Sequence, residues 1–432
     1  MNICIVGTGY VGLVTGTCLA EFGMNIICSD TDSSKIAMLS KGKVPFYEPG
    51  LEELVEKNLA QGRLRFTTEM KEGVQSSLVI FIAVGTPAND DGTVDLRYVN
   101  AAAEEIGTHM NGYKVVVVKS TVPVGTCQGI KRIIREKSPQ AYNFDVVSNP
   151  EFQREGSAVE DFMRPDRVTI GAESEQAIAI MKDIYSVLYL NETPFVITNL
   201  ETAEMIKYAA NAFLATKITF INEMANLCER VGADVHVLAR AMGLDGRIGR
   251  KFLHPGPGYG GSCFPKDTLA LLNIGRQRGC DLKVVDSVIK ANDEQRLRMV
   301  EKIRAMVGEL RGKTVGILGL SFKPNTSDVR ESSSIIIIQR LQSEGGKIRA
   351  YDPAAMGEAK AVLQDVHYCS DPYEVAEGCD ALVLLTEWNQ FRRLDLDRLK
   401  ALMNTPIFVD LRNVYDPVKM REAGFHYCGV GR

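Results

Sequence analysis

The chain opens with MNICIVGTGYVG (residues 1–12), a stretch that predicts a strand, a tight turn and a helix suited to a dinucleotide. In this GxGxxG pattern Gly7 permits the turn, Gly9 lets a pyrophosphate approach the backbone, and Gly12 lets the helix pack closely on the strand. The helix N-terminus would then offer free N–H groups and a positive dipole end to the phosphates. GxGxxG alone is weak evidence, but here the strand and helix fall where the pattern needs them.

A second predicted strand, 25–29, ends at Asp30, 18 residues beyond Gly12. A carboxylate at this position accepts hydrogen bonds from ribose hydroxyls and repels a 2′-phosphate. Thr31, not an arginine, follows it, so NAD is favoured over NADP as the cofactor. Lys35 is either a second polar contact or a solvated lysine on the helix surface.

Short apolar, β-branched runs alternate with amphipathic stretches through the first half of the chain. This alternation predicts βαβ units, a parallel sheet and an NAD-binding domain over residues 1–199. The loops that carry Thr86 and Thr121 follow strand ends, where ligands of such sheets bind, although turn chemistry explains them equally well. The predicted strands are 2–6, 25–29, 78–84, 114–119 and 145–148.

From residue 200 the pattern becomes helical. Residues 201–231 contain no Pro or Gly and keep apolar residues at helical spacing, which predicts one helix of roughly 30 residues, about 45 Å long. Shorter helices are expected at 235–242, 268–278 and 284–307. We predict an all-helical dimerisation region over residues 200–308.

Strand–helix alternation returns at Lys313, with strands expected at 314–318, 347–351, 381–385 and 407–410. Residues 309–432 therefore predict a second doubly wound domain, whose first turn, GILGLSF (316–322), is not a GxGxxG. The expected fold class is α/β, with two Rossmann-like domains joined by a long central helix and a helical region.

Length, net charge and cysteine spacing exclude several classes of protein. The 432 residues allow two or three domains, and a net charge of −4 argues against a nucleic-acid partner. Neither a secretory pattern nor a run long enough to span a membrane is visible, which favours a cytoplasmic protein without membrane contact. The 10 cysteines lack paired spacing, which argues against disulfides and a metal site.

Several charged residues lie where chemistry is plausible. Glu151 and Glu155 follow a strand end and would share one face if their segment were helical. Glu204, Lys207 and Asn211 form one stripe of the long helix. Such residues are either an exposed charged face or a Lys–Asn pair that donates hydrogen bonds to an oxyanion.

The strongest local signal is GPGYGGSCFPKD (256–267). Its glycines give the backbone room to approach a bound molecule, and Cys263 precedes Asp267, which is expected to begin a helix. A cysteine close to a helix N-terminus has more thiolate, so Cys263 is the predicted nucleophile. The other nine cysteines lie in apolar runs or exposed segments and are expected to be inert.

These motifs together resemble the UDP-glucose/GDP-mannose dehydrogenase family over essentially the whole chain. Gln153 departs from the pattern, because many relatives have Leu there. The matching motifs are GTGYVG (7–12), STVP (120–123), NPEF (149–152) with REG (154–156), Glu204 and Lys207 with Asn211, GGSCFPKD (260–267), and FK (322–323) with DVRES (328–332).

The resemblance implies that the C6 hydroxyl of UDP-glucose is oxidised twice, with two NAD and one water, to give UDP-glucuronate. Cys263 would form a thiohemiacetal and then a thioester, with Lys207 and Asn211 stabilising the oxyanion. Asp267 and Lys207 would serve the first proton removal through a water. Glu151 would be the base for hydrolysis, and Thr121 would position water or cofactor.

The resemblance also implies the binding residues and the assembly, a homodimer or larger homo-oligomer. Arg247 would reach the substrate site of the partner subunit. The implied NAD contacts are Gly7, Gly9, Tyr10, Val11, Gly12, Asp30, Lys35, Thr86, Thr121, Glu155, Lys266 and Arg330. The implied substrate contacts are Glu151, Phe152, Arg154, Glu155, Lys207, Asn211, Arg247, His254, Gly256, Gly258, Tyr259, Gly260, Lys323 and Arg412.

Three alternatives remain open at this point. The first is another nucleotide sugar: GDP-mannose dehydrogenases tend to have GFAFGG in place of GPGYGG (256–261), and relatives acting on N-acetylated sugars tend to have His in place of Ser262. The second is a β-hydroxyacid dehydrogenase of the 6-phosphogluconate type, which needs no nucleophilic cysteine. The third is a non-catalytic sensor of NAD or a sugar nucleotide, against which the intact set of Cys263, Lys207, Asn211 and Asp267 argues.

Overall fold

The computed structural model describes residues 1–89 and 91–432 and divides the chain into two compact units, 1–210 and 211–432. The predicted fold class is confirmed: each unit contains a largely parallel sheet, and a long helix runs through the division. The division into domains at 199 and 308 stays a prediction. Within the described residues, none of the helices has both the length and the apolar character that a membrane span requires.

The sheet of the first unit has eight strands in the order β3-β2-β1-β4-β5-β6-β7-β8. All neighbours are parallel except β6 and β7, which pair antiparallel through Ser148 and Gly171, so the predicted parallel sheet is confirmed with one antiparallel pair. The strands are β1 (Asn2–Val6), β2 (Asn25–Ser29), β3 (Leu64–Thr67), β4 (Val79–Ile82), β5 (Lys114–Val118), β6 (Phe144–Ser148), β7 (Val168–Gly171) and β8 (Phe195–Thr198).

Helices cover both faces of this sheet, because its central strands β1, β4 and β5 are largely apolar and buried on both sides. A short 3-10 helix spans Ser186–Asn191. The helices are α1 (Tyr10–Glu21), α2 (Ser33–Leu39), α3 (Leu51–Ala60), α4 (Met70–Ser76), α5 (Arg97–His109), α6 (Thr126–Lys137), α7 (Ala158–Met163), α8 (Glu175–Ile184) and α9 (Leu200–Val231).

The second unit begins within α9 and continues with helices before its own sheet. Its six strands are all parallel, in the order β11-β10-β9-β12-β13-β14, which repeats the 3-2-1-4-5-6 order of the first six strands of the chain. The helices are α10 (Val235–Gly243), α11 (Phe264–Gln277), α12 (Lys283–Val307), α13 (Ser333–Ser343), α14 (Met356–Val362), α15 (Pro372–Ala376), α16 (Leu396–Leu402) and α17 (Pro417–Glu422). The strands are β9 (Thr314–Leu318), β10 (Lys347–Tyr351), β11 (Val366–Tyr368), β12 (Ala381–Leu384), β13 (Ile407–Asp410) and β14 (His426–Cys428), with a 3-10 helix at Asn389–Arg393.

Candidate active site

The turn between β1 and α1 has the geometry that the GxGxxG pattern predicts. Gly7 lies at φ +96, and a Cβ there would stand 2.7 Å from Ala83 O. A Cβ on Gly12 would stand 1.9 Å from Gly7 O, so the helix packs on the turn only because Gly12 has no side chain. Gly9, by contrast, has open space around its Cβ position and caps α1 without a side-chain hydrogen bond. This turn fits a pyrophosphate at the N-terminus of α1.

Asp30 lies beside this turn, with its side chain 12% exposed. One carboxylate oxygen accepts hydrogen bonds from Thr8 N at 2.8 Å and Thr8 Oγ1 at 2.7 Å, and Lys35 Nζ lies 3.1 Å from it. Burial opposes ionisation, but the hydrogen bonds from Thr8 prevail and lower the pKa of Asp30. An ionised carboxylate at the end of β2 fits the ribose hydroxyls of NAD. Thr8, which the sequence did not single out, is the residue that holds it.

Tyr10 and Val11 form the first turn of α1. The Tyr10 hydroxyl donates to Glu48, whose carboxylate also accepts from Gly156 N at 2.5 Å and Ala158 N at 2.7 Å. Burial, the hydrogen bond to Glu48 and the charge of Glu155 raise the pKa of Tyr10. The buried Glu48 thus ties the cofactor turn to the segment after β6.

Thr86 and Thr121 are both half-buried at the carboxyl edge of the first sheet. The Ser120 hydroxyl donates to Val84 O at 2.7 Å, so the loop after β5 is fixed to the end of β4. Ligands of doubly wound sheets bind at this edge. The placement supports a ligand role for both threonines over turn chemistry alone.

Glu151 and Glu155 do not share a helical face, because residues 151–154 have no regular structure and a turn follows at 155–156. The next helix, α7, begins only at Ala158. Glu151 instead lies buried, 3.2 Å from Lys207 Nζ, and accepts from Gln153 N at 2.5 Å. A carboxylate buried beside an ammonium is costly for stability alone and is typical of a functional site.

A second buried lysine lies in the same cavity as Glu151. Lys119, one residue beyond β5, donates to Asn149 Oδ1 at 3.0 Å and to the Tyr185 hydroxyl at 3.4 Å. Burial lowers the pKa of Lys119 to about 8, although the charge of Glu151 opposes the shift. Sequence reasoning missed this residue because a lysine at the end of a strand is normally solvated.

Phe152 and Arg154 follow Glu151 in the chain. The Arg167 guanidinium lies over the Phe152 ring, with its central carbon 3.5 Å from the ring centroid. Lys207 Nζ lies 5.3 Å from the same ring centroid. Arg154 is exposed and pairs with Asp161 at 2.6 Å. Phe152 therefore packs against two cations, while Arg154 stands at the surface.

The stripe of α9 is buried, which corrects the interpretation as an exposed charged face. Glu204, Lys207 and Asn211 are 3%, 4% and 5% exposed. Each makes a different contact: Glu204 accepts from Gly125 N and Cys127 N, Lys207 pairs with Glu151, and Asn211 donates to Asp267. Buried polar groups on one helix are retained only when each is satisfied, as here.

Cys263 is the N-cap residue of α11, which begins at Phe264 and not at Thr268 as expected. The helix begins earlier because Pro265 lies in its first turn, where proline is favoured. Asp267 thus lies in the first turn rather than beginning the helix. No side-chain capping bond involves Cys263, and Ser262 Oγ lies 3.6 Å from its sulfur. The half-buried Cys263 therefore lies at the positive end of α11, and its role as a nucleophile stays a prediction.

Asp267 contacts Asn211, a predicted catalytic residue, and Lys266, a predicted cofactor contact. Its carboxylate, 1% exposed, accepts from Asn211 Nδ2 at 2.6 Å and pairs with Lys266 Nζ at 2.6 Å. Both partners are donors, so the carboxylate is held in one orientation. The arrangement orients the Asn211 amide and places an acid–base group four residues from Cys263.

The glycine-rich loop ahead of Cys263 lies beside Arg412. A Cβ on Gly256 would stand 3.2 Å from an Arg412 guanidinium nitrogen. Arg412 also donates to Leu385 O at 2.8 Å and to Phe322 O at 3.1 Å, and Lys323 Nζ lies 5.4 Å from the Phe322 ring centroid. The structure thus brings two cations and the loop to the carboxyl edge of the second sheet, where a nucleoside diphosphate would be held.

The remaining predicted residues differ in exposure. Tyr259 and Gly258 are buried in the loop, and Gly260 has Glu331 O only 2.2 Å from the position of its missing Cβ. His254 is exposed. Arg247 and Arg330 are also exposed and pair with Asp245 at 2.6 Å and Asp328 at 2.8 Å.

The other cysteines lie in less reactive surroundings. All ten are unbridged, and seven are buried. Burial raises the pKa of Cys4 and of Cys379 to about 12. One group with metal-ligand geometry exists among the described residues, namely His367, Cys369 and Glu374 within 4.8 Å. Burial raises the pKa of Cys369, and Glu374 is already bonded to Ser370, so this group is poorly prepared for a metal.

Comparison with known proteins gives three consecutive matches to one family. Residues 1–189 match the NAD binding domain of the UDP-glucose/GDP-mannose dehydrogenase family, residues 201–294 its central domain, and residues 316–417 its UDP binding domain. The chain is 52% identical to a UDP-glucose 6-dehydrogenase of Rhizobium meliloti (strain 1021), with all of both chains covered. It is 50% identical to a UDP-glucose 6-dehydrogenase of Bacillus subtilis (strain 168), covering all of this chain and 93% of that protein.

Among solved structures, the chain is similar to a UDP-glucose dehydrogenase from the hyperthermophilic archaeon Pyrobaculum islandicum. The TM-score is 0.93 and the identity 41%, covering all of this chain and 97% of that one. The similarity therefore extends over both units and every motif described above.

Proposed function

This chain belongs to the UDP-glucose/GDP-mannose dehydrogenase family, and we propose that it oxidises the C6 hydroxyl of UDP-glucose to the carboxylate of UDP-glucuronate. The observation that carries the proposal is the position of Cys263 at the N-terminus of α11, next to the helical turn that contains Asp267. Asp267 in turn accepts a hydrogen bond from Asn211 on α9. A dehydrogenase that stops at the aldehyde has no use for a nucleophile there. The two oxidations use two NAD and one water.

The chain holds the cofactor and the sugar nucleotide through different groups. Gly7, Gly9 and Gly12 fit the pyrophosphate, and Asp30 fits the adenosine ribose. When bound, NAD accepts the hydride that leaves C6 in each oxidation. Lys323 and Arg412 supply positive charge to the diphosphate of the substrate.

The first oxidation needs a base for the hydroxyl proton. Asp267 accepts that proton through a water that Lys207 orients, and the C6 aldehyde stays bound. The Cys263 thiolate then adds to the aldehyde carbon, forming the C–S bond of a thiohemiacetal. Lys207 and Asn211 donate hydrogen bonds to the oxygen that becomes negative.

The second oxidation converts the thiohemiacetal into a thioester, which keeps the reactive aldehyde from escaping. Glu151 takes a proton from a water, the water attacks the thioester carbon, and the C–S bond breaks to release the acid and the thiolate. The 3.2 Å contact with Lys207 supports this role, because it fixes the orientation of the buried Glu151 carboxylate. We further propose that the enzyme acts as a cytoplasmic homodimer, or a larger homo-oligomer.

The test is the NADH yield, measured by absorbance with limiting UDP-glucose and an aldehyde trap. We expect two NADH for each UDP-glucose and no trapped aldehyde. GDP-mannose and UDP-N-acetylglucosamine, supplied as matched substrates, should be turned over far more slowly. One NADH per sugar with aldehyde in the trap would disprove the covalent mechanism, and preference for another nucleotide sugar would disprove the substrate.

A further inference from the structure

The backbone of the glycine-rich loop is held by side chains rather than by regular secondary structure. Gly256 and Tyr259 are buried residues in a segment that belongs to no helix or strand. Their N–H and C=O groups must still find partners, because an unsatisfied buried backbone group costs about as much as a lost hydrogen bond. The partners are amide side chains from two helices.

Two amides satisfy Gly256. Asn222, on α9, accepts from Gly256 N at 2.8 Å, and Gln295, on α12, donates to Gly256 O at 2.9 Å. A third amide, Asn292 on α12, accepts from Tyr259 N at 2.8 Å and donates to Tyr259 O at 3.2 Å. Both polar groups of both loop residues are thus fixed by a side chain of defined geometry.

Further contacts hold these amides in place. Asn226 Nδ2 donates to Gln295 Oε1 at 2.8 Å, which fixes the orientation of the Gln295 amide. Arg296 Nη2 donates to Tyr259 O and to Glu331 O, both at 3.0 Å. Asn222, Asn292 and Gln295 are at most 3% exposed, so no solvent competes for these bonds.

Apolar packing would hold a loop at lower desolvation cost, because Asn222 Nδ2 and Arg296 Nε are buried here without a hydrogen-bond partner. The other side-chain polar atoms of Asn222, Asn292 and Gln295 are all hydrogen-bonded. Such a network specifies one backbone conformation. The loop packs closely against the network, because a Cβ on Gly258 would stand 2.9 Å from Asn292 Oδ1. Cys263 follows Tyr259 by only four residues, so a displaced loop also displaces the N-terminus of α11.

We propose that Asn222, Asn292 and Gln295 are positioning residues that fix the backbone of residues 256–260 in the conformation that receives the sugar nucleotide and sets the place of Cys263. We call these three side chains the amide clamp. The inference rests on the proposed function for the identity of the ligand, UDP-glucose. It assigns the clamp no contact with the reacting atoms.

The first experiment compares Asn292→Ala with Asn58→Ala, which removes an equally buried amide from α3 in the first unit. We expect Asn292→Ala to raise KM for UDP-glucose about tenfold, corresponding to about 1.4 kcal/mol, and to leave KM for NAD within about twofold. Asn58→Ala should lower Tm without changing either KM. If the folded Asn292→Ala variant keeps its KM for UDP-glucose and only its Tm falls, the clamp merely stabilises the fold and the proposal is wrong.

A second pair of variants covers a failure of Asn292→Ala to fold. Gln295→Met is of similar volume and removes both hydrogen bonds, whereas Gln295→Glu keeps the acceptor for Asn226 but turns a carboxylate oxygen toward Gly256 O. We expect the larger rise in KM for UDP-glucose with Gln295→Glu, because two acceptors would face each other. Equal KM values for wild type and both variants would overturn the proposal.

A third measurement does not depend on the reaction. Iodoacetamide labelling of the apoenzyme, followed by peptide mass spectrometry, gives the alkylation rate of Cys263 relative to the exposed Cys280. The loosened loop of Asn292→Ala should raise this ratio several-fold, and Asn58→Ala should not. If the wild type makes no NADH from UDP-glucose, the proposed function fails, but this ratio still decides whether the clamp holds Cys263. An unchanged ratio would count against the clamp whether or not the enzyme is active.

Discussion

Cys263 differs from the other cysteines in its surroundings rather than in its sequence neighbours alone. It caps a helix of 14 residues, whereas Cys4, Cys18 and Cys28 lie buried in the first unit among apolar side chains. Cys263→Ser should lower kcat by about a thousandfold, or about 4 kcal/mol, because a serine hydroxyl is a poorer nucleophile and its ester hydrolyses more slowly. Steady-state kinetics of NADH formation measures this. Cys280→Ser, at an exposed position, is the control, and near-normal kcat in Cys263→Ser would reduce Cys263 to a packing residue.

Asp30 is the residue on which the choice of NAD depends. Asp30→Ala removes a carboxylate that fits the ribose hydroxyls and repels a 2′-phosphate. We expect KM for NAD to rise about tenfold and the preference for NAD over NADP to fall by at least as much. Asp32→Ala is the matched control, because Asp32 caps α2 nearby and its loss should lower Tm without altering cofactor preference. Unchanged KM values for both cofactors would exclude contact between Asp30 and the ribose.

Lys119 should make stability depend on pH in the alkaline range. Its pKa is about 8, below the 10.5 of an ordinary lysine, so the unfolded chain binds this proton more tightly. The stability that Lys119 contributes is therefore complete above pH 10.5 and is lost as pH falls toward 8. As pH falls from 10.5 toward 8, the free energy of unfolding of Lys119→Met should therefore rise relative to that of the wild type, by up to about 3 kcal/mol. The Tyr185 hydroxyl, 2.7 Å from Asn149 Oδ1, keeps that acceptor satisfied in the variant.

The measurement for Lys119 is Tm of wild type and variant from pH 7 to 11. Lys71→Met changes an exposed lysine of α4 and should leave the pH profile of Tm unchanged. Parallel Tm profiles for wild type and Lys119→Met would show that the buried lysine keeps an ordinary proton affinity.

At the scale of elements, Glu204 explains how α6 begins. The N-cap of α6 is Gly125, which has no side chain to satisfy the first N–H groups. Glu204, reaching across from α9, accepts from Gly125 N at 2.6 Å and Cys127 N at 2.8 Å and so replaces the missing cap. Glu204→Ala should cost about 2–3 kcal/mol, since it leaves those N–H groups without an acceptor.

Hydrogen exchange followed by mass spectrometry locates the effect of Glu204→Ala. Exchange should rise in peptides covering residues 124–130 and stay unchanged over β1 and α1. Glu201→Ala removes a partly exposed carboxylate one turn earlier on α9 and should change Tm little. Unaltered exchange at 124–130 would show that Glu204 does not cap α6.

The elements also show how far sequence reasoning reaches. Strands β1, β2, β9, β10 and β13 begin and end where predicted, and in β1, β2 and β13 three or four consecutive buried apolar or cysteine residues mark the strand. Strands β3, β7, β8, β11 and β14 were not predicted; they have three or four residues each, and all of them except β7 are partly exposed. Short strands are defined by their neighbours in the sheet, and those neighbours are distant in sequence.

The candidate site divides in the same way. The sequence indicates Gly7, Asp30, Lys207 and Cys263, because a motif or a helical stripe marks each of them. It does not indicate Lys119 or the amide clamp, because single polar residues inside helices or at strand ends are normally solvated. Burial alone distinguishes them, and burial depends on the tertiary fold.

At the scale of the whole molecule, the two sheets share one strand order but not one function. Asp352 follows β10 as Asp30 follows β2, yet Asp352 is fully buried. It accepts hydrogen bonds from Leu320 N, Ser321 N, Ala354 N, Ala355 N and Trp388 Nε1. These donors occupy the carboxylate, so it cannot accept from a ribose. The repeated fold thus keeps its structural carboxylate while only the first sheet carries a dinucleotide turn.

An exposed apolar stripe on α9 favours a homodimer. Phe213, Phe220 and Leu227 recur every seven residues and are 65%, 41% and 51% exposed in the single chain. Large apolar side chains aligned on one helix are expected to pack against another surface, and a two-fold dimer is the commonest arrangement. A second copy of this chain is the partner we propose.

Arg247 provides the test that joins this assembly to the chemistry. Its side chain is 89% exposed, and its guanidinium pairs with its near neighbour Asp245 at 2.6 Å. If it completes the site of the partner subunit, Arg247→Ala and Cys263→Ala should each be nearly inactive alone. Co-refolded in equal amounts, half of the dimers should be mixed, each with one intact site, and activity should return to about a quarter of wild type. The control is the same two variants refolded separately and then combined. Mixed dimers that are verified by mass yet recover no activity would show that Arg247 acts within its own subunit or not at all.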